Sequence, residues 1–144
     1  MFLGRFEHTI DEKGRMTIPV RYRDILVNGA YITQGFDQNL LVVLAENFER
    51  NFQEISLMSS MDPTVRMLRE KVFSAAERIE IDRLGRILIP GYLRKYARLE
   101  SSAMVIGAGA NFEIWSPELW EIRDAKLSDV AFSTELEKFN LSLL

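Results

Sequence analysis

A short segment of this chain occurs twice, and that repetition restricts the fold more than any other feature. Asp11-Glu12-Lys13-Gly14-Arg15-Met16-Thr17-Ile18-Pro19 returns as Asp82-Arg83-Leu84-Gly85-Arg86-Ile87-Leu88-Ile89-Pro90, with Asp, Gly, Arg, Ile and Pro kept, and Arg23 matches Arg94. After one extra residue in the second copy, Gly35 falls on Gly107, Asn39 on Asn111, Leu40 on Phe112, Val42 on Ile114, Glu46 on Glu118 and Phe48 on Trp120. An internal duplication calls for two similar supersecondary units. Neither copy holds enough apolar material for a complete core, so the chain is not expected to divide into independent domains.

Each residue of the repeated segment has a local physical role. Residues 5–10 alternate apolar Phe6 and Ile10 with polar Arg5, Glu7 and Thr9, as in a half-buried strand. Asp11 favours the start of a turn, and Gly14 suits the φ > 0 position that closes a three-residue hairpin loop with a bulge. A return strand follows with Met16 and Ile18 on one face and Arg15 and Thr17 on the other. Pro19 ends that strand and suits the first turn of a helix over 20–26.

Between the copies, residues 30–33 and 40–44 read as strands, the second an unbroken apolar run expected to be buried on both faces or at an interface. Residues 45–58 approximate helical spacing with Phe48, Phe52, Ile55 and Leu57, and Asp62-Pro63 caps and opens a helix to about residue 76 with Val65, Leu68 and Val72 on one face. The second copy predicts strands over 78–81, 103–106 and 112–115, a helix from Pro90 to about 98, and another opened by Ser116-Pro117-Glu118. From Ser133 onward, Leu136, Phe139, Leu141, Leu143 and Leu144 suit either a docked amphipathic helix or a frayed end. The division is 5–48 for repeat 1, 49–76 for a helical connection, 77–120 for repeat 2 and 121–144 for a C-terminal helix and tail.

The doubled Asp-x-x-Gly-Arg-x-x-Ile-Pro pattern, the opening Met1-Phe2-Leu3-Gly4 and the segment Val105-Ile106-Gly107 to Asn111-Phe112-Glu113-Ile114-Trp115 resemble the MraZ family. These are bacterial regulators with two SpoVT-AbrB-type repeats, and the resemblance extends to about residue 125. It implies a mixed α/β, mainly β fold, in which two pseudo-symmetric SpoVT-AbrB-like repeats form a swapped-hairpin barrel with peripheral helices. It further implies a homo-oligomer, a ring, that binds double-stranded DNA at direct repeats in the promoter of the cell-division and cell-wall gene cluster.

Composition sets the other bounds. At 144 residues the chain has the length of one domain, able to bury roughly 70% of its unfolded surface. The absence of cysteine excludes disulfides, thiolate nucleophiles and cysteine metal sites. With no leader-like N-terminus and no apolar run long enough for a bilayer, a cytoplasmic, nucleoid-associated protein without a membrane partner is expected. A net charge of −3 does not suit a protein that holds nucleic acid by bulk attraction. The basic residues are nevertheless concentrated near the two copies, as Arg5, Lys13, Arg15, Arg21 and Arg23, and as Arg83, Arg86, Arg94, Lys95 and Arg98. Acidic residues gather in 46–54 and 118–137, so a DNA-binding molecule must place these segments away from the tips.

Arg15 and Arg86 are the first candidates for DNA contact, because a guanidinium near a turn tip can meet guanine bidentately. Pairing with Asp11 and Asp82, which would only stiffen each turn, is compatible with that role. Lys13, Arg21, Arg23, Arg83 and Arg94 are candidates for phosphate contact, with Asp11, Gly14, Asp82 and Gly85 supporting the turns. Lys13 stands opposite Leu84 in the alignment of the copies, so the two tips need not contribute equally, and the first is favoured. His8 is expected to be an ordinary strand residue rather than a metal ligand. No catalytic constellation, metal site or cofactor is expected, and Gly107-Ala108-Gly109 lacks the third glycine and immediate helix of a dinucleotide loop. The rival reading is a structural or antitoxin-like protein-interaction ring with no specific DNA target; an enzyme is the least favoured.

Overall fold

A computed structural model describes residues 1–143; Leu144, counted above with the apolar tail, lies outside the described residues. In chain order the elements are β1 (Arg5–Thr9), β2 (Arg15–Thr17), α1 (Val20–Arg23), β3 (Ala30–Gln34), β4 (Leu40–Leu44), α2 (Ala45–Ser56) and α3 (Pro63–Phe73), then β5 (Glu77–Ile79), β6 (Arg86–Leu88), α4 (Gly91–Tyr96), β7 (Ser102–Gly107), β8 (Asn111–Trp115), α5 (Pro117–Leu127) and α6 (Val130–Leu136). A 3-10 turn, Glu137–Phe139, follows α6.

Strand order carries the duplication into three dimensions. The large sheet runs β1-β7-β8-β4-β3-β5, and β2 pairs with β6 in a separate two-stranded ribbon. Exchanging each strand for its counterpart, β1 with β5, β3 with β7 and β4 with β8, reverses this order onto itself. A pseudo-two-fold axis therefore passes between β4 and β8, and the ribbon pairs the matching strands of the two copies. All pairings are antiparallel.

The chain is mixed α/β and mainly β, and each hairpin is swapped between the copies, as the family resemblance implies, rather than closed on itself. Asp11 N–H donates to Arg15 O at 2.9 Å and Gly14 N–H to Asp11 O at 3.0 Å, so the turn closes locally. Beyond a single bridge between Ile10 and Met16, the strands part. β1 crosses to β7 of the second copy, β5 crosses to β3 of the first, and β2 finds β6. The reason is burial. Met16, Ile18, Ile87 and Ile89 are each at most 1% exposed, and they join Ile32, Leu40, Val42, Val105, Phe112 and Ile114 in one core drawn from both copies. Truncating such a side chain costs about 2–5 kcal/mol, which strongly fixes the register.

The apolar run of β4 is a central strand between β3 and β8, in keeping with its burial. Tyr22 is fully buried, packs edge-on against Phe2 and donates its hydroxyl to Leu3 O at 2.7 Å. Phe2 in turn bridges to Gly109, tying the N-terminus to the second copy. Asp62 and Ser116 cap α3 and α5 through Thr64 N–H and Leu119 N–H. Several ends differ from expectation: α1 stops at Arg23, α3 at Phe73 and α4 at Tyr96, because turns replace the last residues of each helix, and β5 ends at Ile79, two residues before the expected end. The tail forms α6 and the 3-10 turn, with Phe139 and Leu141 exposed.

Because each copy supplies strands that only the other can pair, residues 1–71 expressed alone are expected to fold only as a dimer standing in for the pseudo-symmetric whole. The thermal midpoint followed by circular dichroism should then rise with protein concentration. A folded monomer with a concentration-independent midpoint would contradict the interlocked core.

Candidate nucleic-acid interface

The two tips meet at the ribbon. Ile18 N–H donates to Gly85 O and Ile89 N–H to Gly14 O, both at 2.8 Å, so each strand leaving one turn is bonded to the glycine of the other. Met16, Ile18, Ile87 and Ile89 take the inner face, and strand alternation leaves Arg15, Thr17, Arg86 and Leu88 on the outer one. In register, Arg15 faces Leu88 across the ribbon and Thr17 faces Arg86.

Each arginine is held by its own turn. Asp11 Oδ1 accepts Lys13 N–H and Arg15 N–H, both at 2.9 Å, while Oδ2 accepts Arg15 Nε–H at 2.9 Å. Asp82 repeats the arrangement with Leu84 N–H, Arg86 N–H and Arg86 Nε–H at 2.9, 2.9 and 2.8 Å. Arg86 Nη1 also lies 3.9 Å from Asp11 Oδ2, linking the tips. The arginine side chains are about one-third and one-quarter exposed, at 34% and 25%. The guanidinium is thus fixed through Nε. The backbone N–H of Arg15 is the main cause holding the Asp11 carboxyl below its ordinary value, and that of Arg86 does the same for Asp82; both effects outweigh the opposing effect of desolvation.

Arg23 and Arg94 lie beneath the tips rather than at them. Arg23 Nε–H donates to Ile18 O at 3.2 Å and Arg94 Nε–H to Ile89 O at 3.0 Å. Each guanidinium crosses to the other copy: Arg94 lies under Gly14, where a Cβ would come within 2.8 Å of its Cζ, and Arg23 lies still closer under Gly85. Both glycines have positive φ, +85° and +76°. Conformation and close approach therefore both favour glycine.

Lys13 and Arg83 are exposed at the tips, while Arg21 is exposed on α1 and lies over the Phe6 ring at 5.4 Å. Arg5 is engaged by α5, pairing with Asp124 at 2.8 Å and lying over Trp120 at 5.2 Å. His8 is a half-buried β1 residue, with its pKa lowered by burial and then by the charge of Arg23. Phe112, Trp115 and Trp120 are buried, Phe48 stacks on Tyr31 at 4.3 Å, and Phe36 is exposed. Among the described residues no group of His, Asp and Glu is placed to hold a metal ion, and no helix is long and apolar enough to cross a membrane. A groove of about 470 Å³ beside β5 has Glu80 as its one acidic lining residue. Sequence reasoning missed the supporting position of Arg23 and Arg94 and the pairing of Leu88 with Arg15. Strand alternation from Arg86 could have placed Leu88 on the arginine face, but its neighbour across the ribbon belongs to the other copy.

Two outcomes follow from this geometry. An acid with a lowered folded pKa contributes stability above its unfolded value, near pH 4, and loses it as pH falls through the folded value, since the unfolded state binds more protons. The urea midpoint should therefore fall more steeply below about pH 4 for wild type than for an Asp11→Asn, Asp82→Asn double variant; parallel profiles would contradict the bonding described. Gly85→Ala is expected to lower stability by about 1–2 kcal/mol in urea unfolding, from left-handed strain and displacement of Arg23.

Comparison with known proteins agrees with the internal repeat. The family model described as "MraZ protein, putative antitoxin-like" matches twice, over residues 1–71 and 72–141. A protein named transcriptional regulator MraZ from Thermomicrobium roseum is 44% identical over 120 residues, covering 83% of this chain and 84% of its own. Its namesake from Roseiflexus castenholzii is 44% identical over 121 residues, 84% and 85% of the two chains, and that from Moorella thermoacetica is 40% identical over 129 residues, 90% of each. This chain belongs to the MraZ family.

Proposed function

We propose that this MraZ-family chain is a sequence-specific DNA-binding transcriptional regulator that acts at tandem direct repeats in the promoter of the cell-division and cell-wall gene cluster. The observation that carries this reading is the β2–β6 ribbon with Arg15 and Arg86 on its outer face, each fixed by its own aspartate. A two-stranded ribbon fits the major groove of B-DNA. With Nε engaged by the carboxylate, the two Nη groups of each arginine remain to meet guanine O6 and N7, and holding the side chain in advance reduces the entropy lost on binding. Lys13, Arg21 and Arg83 flank the ribbon and hold phosphates, which fix register without reading sequence. Arg23 and Arg94 act from beneath, setting the height of the turns and adding positive potential. The names of the relatives support the regulator reading and give no support to an enzyme.

One ribbon makes too few contacts for tight binding. A homo-oligomeric ring presenting several ribbons to tandem sites gains avidity, because each further contact is effectively intramolecular. Such a complex is cytoplasmic and nucleoid-associated. The second reading, an antitoxin-like protein-interaction ring, has the wording of the family description in its favour; it requires that Arg15→Ala leave activity intact.

Fluorescence anisotropy across a salt series, with the promoter duplex and a scrambled duplex, separates the two. Wild type should prefer the promoter duplex. Arg15→Ala and Arg86→Ala should lose that preference, with an affinity loss of about 1–3 kcal/mol for each base contact. Lys13→Ala should instead lower the log–log salt slope by about 0.9 while keeping the preference. Equal binding of wild type to both duplexes at every salt concentration would favour the interaction ring.

A further inference from the structure

The ribbon is pseudo-symmetric in backbone but not in chemistry. At matching positions of the two copies, Lys13 corresponds to Leu84 and Thr17 to Leu88. Both leucines lie on the second copy's side of the head and face water, Leu84 at 66% and Leu88 at 56% exposure. A single exposed leucine is ordinary, but the place of these two is not. Leu88 stands on the outer face directly across from Arg15, whereas the equivalent neighbour of Arg86 is the hydroxyl-bearing Thr17. Inner-face burial of Met16 and Ile87 already fixes the register, so the core does not need an outward leucine.

We infer that Leu88, with Leu84 at the tip of the same copy, determines specificity by packing on the C5-methyl group of a thymine close to the guanine met by Arg15. The inference rests on the DNA-reading function proposed above. In the major groove the methyl is the one apolar group that a base pair presents, and apolar side chains contact it. Directly opposed residues of an antiparallel pair have Cβ atoms about 4.5–5.5 Å apart, and successive base pairs are about 3.4 Å apart along the duplex. A leucine across from Arg15 therefore reaches the next pair or the one beyond. The asymmetry also gives the head a direction. A head with identical halves would suit an inverted site, whereas one half bearing Lys13 and Thr17 and the other bearing two leucines suits a site with polarity. Heads related by the rotation of a ring then share one sense along the DNA, as direct repeats require.

The test starts from random-sequence duplexes selected on the wild-type protein. The selected duplex is then prepared with thymine or with deoxyuridine at each thymine in turn, a change that removes only the methyl, and titrated against wild type and Leu88→Ser. Serine keeps a small side chain on the exposed strand and carries no methyl to meet the base, whereas threonine would. Wild type should prefer the selected duplex to a scrambled one and lose about fourfold in Kd when the contacted methyl is removed; Leu88→Ser should bind the thymine and uracil forms within twofold of each other. A wild type that keeps its preference but is indifferent to the methyl overturns this inference and leaves the base-reading head standing. Full methyl discrimination by Leu88→Ser overturns it as well. So does dissociation of Leu88→Ser to a smaller species in size-exclusion chromatography, which would assign the leucine to a contact between copies. Failure of selection to yield any preferred sequence removes the DNA-reading function itself, and this inference with it.

Discussion

The antiparallel pairing of β2 with β6 is the constraint on which the other features rest. Two hydrogen bonds from Ile18 and Ile89 to the opposite glycines close it, and four buried apolar side chains anchor it from below. Since the two strands come from different copies, their pairing joins the copies through a shared core rather than at a surface between finished domains. The same pairing places Arg15 and Arg86 together on one outer face. A single copy could form its turn, but not the two-sided head. Fold stability and the proposed site therefore depend on the same few contacts, and changes in the ribbon are expected to report on both.

Charge is arranged to suit that geometry. The net charge is −3, yet at the head Lys13, Arg15, Arg23, Arg83, Arg86 and Arg94 outnumber Asp11, Glu12 and Asp82, and the turn arginines sit on carboxylates that orient them. These surface ion pairs contribute little to stability on their own. Their effect is to reduce the conformations open to each guanidinium, with Nε engaged and the terminal nitrogens left for a partner. The crossed arrangement of Arg23 under Gly85 and Arg94 under Gly14 extends the same logic, since each copy supports the other copy's turn.

Much of this was legible in the residues. The repeated segment predicts the turns, the left-handed glycines and the Asp–Arg pairs, because all of these are local and governed by spacings of three and four. Alternation of Met16 and Ile18 with Arg15 and Thr17 likewise predicts the two faces of the ribbon. What spacing and periodicity alone do not show is partner choice, which only the family resemblance implies, through its swapped-hairpin fold. A tight turn flanked by apolar alternation signals a hairpin, but β1 pairs with β7, since burial shared between distant segments outweighs the local signal. For the same reason the role of Arg23 was hidden: it depends on a glycine 62 positions away, at Gly85, brought close only by the swap. Helix ends such as that of α1 were misplaced because turns satisfy the terminal groups as well as another helical residue would.

Site-specific photocrosslinking tests the central claim most directly, that the shared ribbon faces the duplex. A benzophenone side chain placed singly at Thr17, Leu84, Phe52 on α2 or Phe132 on α6 is irradiated with bound promoter DNA, and the crosslinked DNA is counted. The account predicts adducts from Thr17 and Leu84, one on each copy's half of the head, and background levels from the two helices. Adducts from Phe52 or Phe132 with none from Thr17 and Leu84 would place the DNA on the acidic outer helices and contradict the account.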